Sequence, residues 1–152
     1  MWRRALAPAP SFETKMPDTL LLQVVSPERQ LVEEQVADVQ VPALDGFIGV
    51  LPGHARLLSA LKPGGVLSYH VAGGQEKVLA VYGGFVEVLP DRVRVLADGA
   101  EPREEINLQE AQKKLQDAMK LYDAPQGMPD AAEIFDELMR SQARVDAAEK
   151  KS

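Results

Sequence analysis

The period of the apolar residues changes once along this chain, near Gly99, and that change restricts the folds open to it. Before Gly99, short segments alternate apolar and polar side chains, and a period of two is typical of strands with one buried face. After Gly99, apolar residues recur every three or four positions, as on one face of a helix. The 152 residues can hold one domain and a smaller appendage. We therefore predict a mainly β domain followed by helices.

The segment before Gly99 is predicted to form short antiparallel strands separated by turns. Pro42 is expected to end one strand, because proline lacks the amide that a ladder needs. The Gly83-Gly84 pair is expected to break another strand at a bulge or a sharp bend. Short strands at near-regular spacing favour an antiparallel sandwich or a flattened barrel. The predicted strands cover residues 20–25, 37–41, 66–71, 77–82, 85–89 and 93–95.

Two helices joined by a short loop are predicted beyond residue 100. Asn107 can cap the first, with Glu110 three residues later, and Asp130 with Glu133 can begin the second. An antiparallel hairpin would bury the two apolar stripes against each other, but it also needs the sandwich or a partner, since isolated helices of this length are marginal in water. The stripes comprise Leu108, Ala111, Leu115, Ala118, Met119 and Tyr122 in the first helix and Ile134, Phe135, Leu138 and Val145 in the second.

Charge and composition exclude several classes of function. A net charge of −6 argues against binding to nucleic acids or to acidic membrane surfaces, because proteins that bind them carry concentrated positive charge. The absence of cysteine excludes a disulfide framework and thiolate chemistry. No apolar run approaches the roughly 20 residues of a membrane-spanning helix, so direct membrane insertion is not expected. Residues 1–16 are predicted to be a disordered extension, ahead of a β-sandwich domain at 17–100 and a helical hairpin at 101–152.

The stretch at residues 45–61 is expected to be neither helix nor strand. Three glycines and Pro52 interrupt an apolar run, so the backbone can turn tightly while the apolar side chains seek burial. We expect a loop built to pack on something else. His54 lies within it, and its ring is expected either to bond to nearby backbone or to contact a partner protein.

No constellation for catalysis or metal binding is found in the sequence. His54 and His70 are the only histidines and cysteine is absent, so a zinc site of nitrogen and sulfur ligands is excluded. The glycines at 49–53 are not followed by the Gly-Lys-Ser/Thr of a phosphate loop. Glu104 and Glu105 are expected to be a solvated pair, and His70 to be exposed. We predict no catalytic residue, no metal and no cofactor.

Spaced motifs in a fixed order carry a resemblance to a known family. They begin with Asp45-Gly46 and Gly-Val-Leu-Pro-Gly-His-Ala at 49–55, followed by Leu57-Leu58. The chain from about Thr19 onward resembles the epsilon subunit of bacterial F-type ATP synthases. That family implies a ten-stranded antiparallel β-sandwich followed by a C-terminal antiparallel two-helix hairpin. The other motifs are Ser-Pro-Glu at 26–28, Leu-Lys-Pro-Gly at 61–64, Gly-Gly-Phe-Val-Glu-Val at 83–88 and Val-Leu-Ala-Asp at 95–98.

The resemblance implies a non-catalytic rotor part in the central stalk of a proton-transporting ATP synthase, which couples rotation of the c-subunit ring to ATP synthesis in the catalytic head. It implies that the sandwich binds the gamma subunit and the ring. By position, Asp45, Gly46 and Phe47 are expected at the ring. His54 and Arg56 are expected at gamma, although the family usually has proline in place of Arg56. The implied location is peripheral, at the cytoplasmic face of the bacterial plasma membrane.

In the family the helices also regulate ATP hydrolysis, and some members bind ATP through an Ile/Leu-Asp-x-x-Arg-Ala motif. The matching residues here are Ile106, Asn107, Glu110 and Ala111, so an amide replaces the acid and a carboxylate replaces the arginine. Because Glu110 would repel a phosphate, this degenerate motif is predicted not to bind nucleotide.

The family's helices extend towards an acidic segment of the beta subunit, which makes the alpha and beta subunits further candidate partners. From Asp130 onward this chain has six acids and four bases, a net charge of −2. Repulsion between this acidic helix and the acidic segment of beta opposes docking, although repulsion between surface charges is modest and is screened by salt. We therefore predict weak or absent inhibition of ATP hydrolysis.

Two other functions compete with this one. The first is a free-standing β-sandwich binding module that dimerises through its helical hairpin. The second is a small hydrolase, which needs a catalytic constellation that the sequence lacks. Co-purification with gamma in equal amounts distinguishes a stalk subunit from the free-standing module.

Overall fold

A closed sheet of seven strands and a pair of helices make up the computed structural model, which describes residues 18–123 and 131–150. The strands are β1 (Leu20–Val25), β2 (Gln30–Ala43), β3 (Gly46–Val50), β4 (Leu57–Ala60), β5 (Gly65–Val71), β6 (Glu76–Leu89) and β7 (Arg92–Pro102). A 3-10 turn (Arg103–Glu105) leads to the helices α1 (Leu108–Tyr122) and α2 (Ala131–Glu149). Paired strands follow the order β1-β7-β6-β5-β2-β3, and β4 pairs with β6. Since β1 also pairs with β2, the sheet closes into a flattened barrel.

Three long strands contribute to both layers of this sandwich. β2 pairs with β1 along its first half and with β5 and β3 along its second. β6 pairs with β5 up to residue 81 and with β4 from residue 85, and β7 pairs with β6 from residue 79 onward. The first layer thus contains β1, β4 and one half of each long strand, and the second contains β3, β5 and the other halves. The predicted fold class is confirmed, but the strand count differs, because three of the seven continuous strands each contribute to both layers where ten separate strands were expected.

The pairing between β1 and β7 is parallel, whereas the other pairings among the described strands are antiparallel. The first and last strands of the sandwich therefore lie side by side within the first layer. The prediction of a purely antiparallel sandwich is wrong at this one pairing, because nothing in the period of either strand specifies the direction of its neighbour.

The two predicted strand ends at Pro42 and at Gly83-Gly84 are wrong. Pro42 lies within β2 opposite Phe47, and its carbonyl accepts a 3.0 Å hydrogen bond from the Lys62 amide. The two glycines lie within β6 at φ values of 68° and 105°, which bend the strand from one layer to the other without ending it. The Gly83 amide donates to the Lys62 carbonyl at 2.9 Å, so the connection before β5 supplies the hydrogen bond at the bend.

The main core lies between the two layers, and a second cluster lies outside the sheet beneath α2. Along β6, Leu79 and Val81 belong to the main core, whereas Val78, Ala80 and Tyr82 belong to the second cluster. A strand buried on both faces has a continuous apolar sequence, as residues 78–82 do. The largest fully buried side chains are Leu20, Leu22, Val24, Val36, Val39, Val41, Val50, Leu67, Val81, Val86, Val88 and Val93.

The helices form the predicted antiparallel hairpin. Near the start of α1, Gln112 Nε2 donates to Glu149 Oε1 at 3.2 Å, while the rings of Tyr122 and Phe135 lie 6.4 Å apart at the other end. Asn107 caps α1, since its Oδ1 atom accepts a 3.1 Å hydrogen bond from the backbone of Glu110. Neither described helix is long and apolar enough to cross a membrane.

Three predictions concern residues outside the described ranges. They are the disordered extension at 1–16, the short loop between the helices, and the start of the second helix at Asp130. The proposed domain boundary at residue 100 stays a prediction, and β7 itself runs on to Pro102.

Candidate functional site

Residues 45–61 are not a loop throughout, which corrects the sequence expectation. β3 occupies residues 46–50 and β4 occupies residues 57–60, so only Asp45, residues 51–56 and Leu61 lie outside these strands. β3 pairs with β2 in the second layer, and β4 pairs with β6 in the first. The glycines in β3, whose sequence is Gly-Phe-Ile-Gly-Val, conceal the alternation that would have identified a strand.

This segment holds the two sets of predicted contact residues at opposite ends. β3 leads away from the turn at Asp45, and β4 returns to Leu61, which bridges to Ala43 beside that turn. His54 and Arg56 lie in the far connection, where the Gly53 amide donates to the Pro90 carbonyl at 2.8 Å. The structure therefore brings Asp45, Gly46 and Phe47 together and keeps them apart from His54 and Arg56.

The β2–β3 turn presents an apolar tip. Leu44 is 57% exposed and Phe47 is 62% exposed. The Nζ atom of Lys62 lies 5.3 Å from the centroid of the Phe47 ring, within reach of a cation–π interaction. Asp45 is exposed beside them, and Gly46 has a φ of 135°, which favours glycine. The turn thus combines one carboxylate, one cation and two apolar side chains that a partner surface can contact.

His54 and Arg56 lie near the β6–β7 turn. The Nδ1 atom of His54 is 2.6 Å from the carbonyl oxygen of Ala55, which is the backbone bond that was one of its two predicted roles. Arg56 is exposed and forms no ion pair with the side chains in the two described ranges. Its guanidinium is therefore available to a group on another molecule.

An exposed apolar face covers the outside of the first layer, and sequence reasoning missed it. Phe85 of β6 is paired with Ala60 of β4 on one side and with Leu96 of β7 on the other. Leu96 in turn lies opposite Val25 of β1, so one apolar row crosses four strands. Phe85 and Leu96 are each 56% exposed, which is unusual for side chains of this size in a strand.

A second row runs beside the first and is mostly polar. It places Leu58 opposite Glu87, Glu87 opposite Arg94, and Arg94 opposite Gln23. Arg94 Nε donates to Gln23 Oε1 at 3.2 Å, and Arg94 Nη1 lies 3.8 Å from Glu87 Oε1. Leu58 is 70% exposed at the end of this row. We call these two rows the outer face, and a cavity of about 340 Å³ lies against it, lined by Gln23, Val25, Leu58, Phe85, Glu87, Arg94 and Leu96.

The outer face is suited to binding a protein. Its apolar row offers area to bury, and its charged row offers fixed polar partners, the arrangement found at many protein interfaces. The alternation of β6 and β7 gave only a partial signal for it. Phe85 and Leu96 occupy outward positions, one residue away from the buried Val86 and Val95, where a solvent-exposed strand normally carries polar side chains.

His70 is not simply exposed, which corrects the sequence expectation. Its Nδ1 atom lies 2.9 Å from Asp38 Oδ1 and its Nε2 atom lies 3.6 Å from Glu76 Oε2. The hydrogen bond to Asp38 is the main cause that raises the pKa of His70 above its ordinary value, although partial burial acts in the opposite direction. Glu76 also lies 3.9 Å from Lys150 Nζ, at the end of α2.

Glu104 and Glu105 are both exposed, as predicted for a solvated pair, and Glu105 also forms an ion pair that was not predicted. Both carboxylate oxygens of Glu105 accept 2.9 Å hydrogen bonds from Nη2 of Arg29, across 76 positions of sequence. Glu104 lines a cavity together with Tyr69 and Lys77. The 3-10 turn is thus tied to the turn between β1 and β2.

The four residues of the degenerate nucleotide motif have structural roles around the start of α1. Ile106 packs against the second cluster, and Ala111 is fully buried. Asn107 caps the helix, and Glu110 forms an exposed pair with Lys114 at 3.2 Å. No group of three or more metal-ligating side chains occurs in the part of the chain that the structure describes.

Comparison with known proteins agrees with this fold. A family model described as the ATP synthase delta/epsilon chain, beta-sandwich domain, matches residues 19–103, more than half of the chain. The ATP synthase epsilon chain of Solibacter usitatus is 52% identical over 136 residues, which cover 90% of this chain and 100% of that relative. The ATP synthase epsilon chain of Desulfitobacterium hafniense (strain Y51) is 41% identical over 133 residues, covering 88% of this chain and 98% of that relative.

Solved structures add two similar chains. One comes from the cryo-EM structure of the Euglena gracilis mitochondrial ATP synthase, OSCP/F1/c-ring, with a TM-score of 0.76 and 26% identity over 93% of this chain and 88% of that one. The other comes from the central stalk and c-ring of the Tetrahymena thermophila mitochondrial ATP synthase, and shares the fold at a TM-score of 0.58 and 10% identity, covering 83% and 96%. The matched domain and the full-length relatives show that the chain belongs to the family of ATP synthase epsilon chains.

Proposed function

We propose that this epsilon chain joins the gamma subunit to the c-subunit ring in the rotor, with gamma bound on the outer face and the ring at the β2–β3 turn. Epsilon chains are non-catalytic subunits of ATP synthase, and this one has the fold of a central-stalk subunit. The chain therefore acts by binding and by transmitting torque. The observation that carries the proposal is the exposed row of Phe85 and Leu96 across the first layer.

Burial is the physical reason for placing gamma on the outer face. Covering exposed apolar surface stabilises a complex by about 25 cal/mol per Å² before the costs of association are subtracted. Phe85, Leu96 and Leu58 contribute most of that surface, and the Arg94–Glu87 pair can orient a partner by charge. His54 and Arg56 lie at one end of β4, next to this face, and would extend the same interface.

The β2–β3 turn is suited to a second, separate partner. It lies at the other end of β3 and β4 from His54, so the ring and gamma can be bound at the same time. Asp45 and Phe47 are exposed there, and Lys62 stands over the Phe47 ring. A loop of a c subunit can therefore meet a carboxylate, a cation and an aromatic ring at one tip.

The proposal extends to location and regulation. As part of a proton-transporting complex, the chain would lie at the cytoplasmic face of the bacterial plasma membrane, held there through its partners. The alpha and beta subunits would be reached only by the helices, whose net charge of −2 from Asp130 onward opposes docking on an acidic surface. Because Glu110 replaces the phosphate-facing cation, we also propose that the chain does not bind ATP, and micromolar binding in titration calorimetry would refute this.

Single charges placed on each surface test the assignment. In a reconstituted complex, Phe85→Glu should abolish binding to gamma, because the charge would be buried in an apolar contact. Phe47→Glu should leave gamma binding intact and weaken coupling to the ring. His54→Ala tests the edge of the gamma interface and should weaken binding less than Phe85→Glu. If Phe85→Glu is folded and binds gamma as wild type does, the outer face is not the interface.

A further inference from the structure

Residues 60–62, which we call the corner segment, connect the two layers of the sandwich beside the β2–β3 turn. The segment contains the last residue of β4, in the first layer, and leads towards β5, in the second. Leu61 at its centre is buried in the main core, and Lys62 is half-buried. The corner segment is therefore anchored to the core and is not a free surface connection.

Two backbone hydrogen bonds tie the corner segment to the end of β2. The Leu44 amide donates to the Ala60 carbonyl at 2.9 Å, and the Lys62 amide donates to the Pro42 carbonyl at 3.0 Å. Leu44 is the residue directly before Asp45 in the β2–β3 turn. The turn that we propose to meet the ring is therefore held by the corner segment as well as by the pairing of β2 with β3.

Two further backbone hydrogen bonds tie the same segment to the bend of β6. The Leu61 amide donates to the Gly84 carbonyl at 2.9 Å, and the Gly83 amide donates to the Lys62 carbonyl at 2.9 Å. Phe85 of the outer face is the residue directly after this bend. Lys62 thus bonds through its amide towards the β2–β3 turn and through its carbonyl towards the outer face.

The side chain of Lys62 adds a contact with the tip of the turn. Its Nζ atom lies 5.3 Å from the centroid of the Phe47 ring, and Lys62 forms no ion pair with the residues that the structure describes. Phe47 is 62% exposed, so few other contacts fix its ring. A cation over an aromatic face stabilises that arrangement. The ammonium therefore restricts the orientations open to Phe47.

We propose that Lys62 is a positioning residue for the contact with the ring. Its ammonium presents the Phe47 ring in one orientation, and its backbone fixes the β2–β3 turn to the bend of β6. This inference rests on the proposed binding of the ring at that turn. Orienting the tip in advance lowers the ordering cost of association. A rigid connection from the tip to the start of the outer face transmits displacement from the ring to gamma without loss in bending of the chain.

Hydrogen exchange on the isolated chain tests the backbone part of this proposal. The amides of Leu61, Lys62 and Gly83 should exchange slowly, as amides of paired strands do, because all three donate within the corner. The matched control is the Gly74 amide, which is also hydrogen-bonded but lies in an exposed turn and should exchange quickly. Exchange of the Lys62 and Gly83 amides as fast as that of Gly74 would overturn the rigid corner.

Fluorine NMR on the isolated chain tests the side-chain part. The chain has four phenylalanines, so fluorophenylalanine labels both the tip and the outer face, and replacing each phenylalanine in turn by leucine assigns the signals. Lys62→Met removes the cation and should shift the Phe47 signal while the Phe85 signal stays in place. Lys62→Arg keeps a cation and should hold the Phe47 signal near its wild-type position.

The matched control in this experiment is Lys77→Met. Lys77 is also half-buried in the second layer, but its ammonium pairs with Glu34 at 2.9 Å. This change should shift neither the Phe47 nor the Phe85 signal. A Phe47 signal that is the same in wild type and in Lys62→Met overturns the proposed role of the ammonium.

A double-mutant cycle in the reconstituted complex tests the positioning role. The chain is titrated into ATP synthase that lacks it, and the concentration that restores half of the ATP-driven proton pumping is measured. Lys62→Met should raise this concentration about two- to fivefold, and Lys62→Arg should restore it. Because Lys62 acts through the Phe47 ring, Lys62→Met should have no further effect in a Phe47→Leu background. Additive effects of the two changes would overturn the proposal.

Failure of this inference and failure of the proposed function give different results. Lys62→Met should leave binding to gamma unchanged, which shows that the variant is folded. If Phe47→Leu weakens proton pumping and Lys62→Met does not, the ring contact stands and the role of Lys62 is overturned. If Phe47→Leu pumps as wild type does, the ring contact at the β2–β3 turn is wrong, and the positioning role falls with it.

Discussion

The Nδ1 atom of His70 lies 2.9 Å from Oδ1 of Asp38, across the pairing between β5 and β2. On the other side of the ring, Glu76 of β6 lies 3.6 Å from Nε2, and Lys150 at the end of α2 approaches Glu76. The hydrogen bond to Asp38 raises the pKa of His70, with smaller contributions from the charges of Asp38 and Glu76, while burial and Lys150 lower it. Protonated His70 therefore links three strands of the second layer.

Stability should depend on pH through this histidine. Because the pKa of His70 is higher in the folded chain than in the unfolded chain, its contribution is fully present below the ordinary value of 6.5. It is lost as the pH rises through the folded pKa. Urea unfolding at several pH values, compared with His70→Asn, should show the difference in free energy of unfolding shrink as the pH rises. A difference that is constant or grows with pH would contradict the assignment.

The bend in β6 gives a second prediction, on backbone geometry. Gly84 has a φ of 105°, and a Cβ atom there would overlap the Leu96 carbonyl and lie 2.9 Å from the Cα atom of Ala97. Gly73 has a similar φ of 114° in an open turn with nothing within 4 Å. Gly73→Ala should lower the free energy of unfolding by about 1–3 kcal/mol through backbone strain alone. Gly84→Ala should lower the free energy of unfolding further, because the steric clash adds to the strain. Equal melting temperatures for the two variants would contradict this prediction.

Sequence reasoning predicted the change from strands to helices and the Asn107 cap of α1, but it missed β3 and β4. Alternation identified most strands, and Asn107 with Glu110 identified the start of α1, because these features depend on neighbours in the chain. The two glycines at 83 and 84 were correctly expected to bend β6, but not to keep it continuous. That outcome depends on Lys62, whose carbonyl accepts the Gly83 amide from another part of the chain.

The candidate site was harder to predict from sequence. The expected contact residues around Asp45 and His54 came from a resemblance, and they stay predictions. The outer face is a property of cross-strand pairing, since Val25, Ala60, Phe85 and Leu96 align only after four strands have paired. A single strand shows one outward apolar residue at a time. Without the pairing, the continuous row cannot be distinguished from scattered exposed side chains.

Inhibition of ATP hydrolysis by the helices should be weak. Truncation after Glu105 removes both helices and preserves β7, which runs to Pro102, whereas a cut at Gly99 would shorten that strand. In the reconstituted enzyme this truncation should change the rate of ATP hydrolysis little, because the acidic second helix docks poorly on an acidic surface. The double variant Glu133→Lys with Asp136→Lys, at one exposed and one half-buried position of α2, should increase inhibition. A several-fold rise in rate on truncation would contradict the electrostatic argument.

The association of this chain with gamma tests the central claim most directly. Tagged gamma should be co-expressed with the untagged chain, purified through the tag, and analysed for the molar ratio of the two proteins. The account predicts equal amounts of gamma and of the wild-type chain, with Phe85→Glu absent from the complex and Phe47→Glu retained. A wild-type chain that leaves gamma and elutes alone, or as a dimer of itself, would contradict the account.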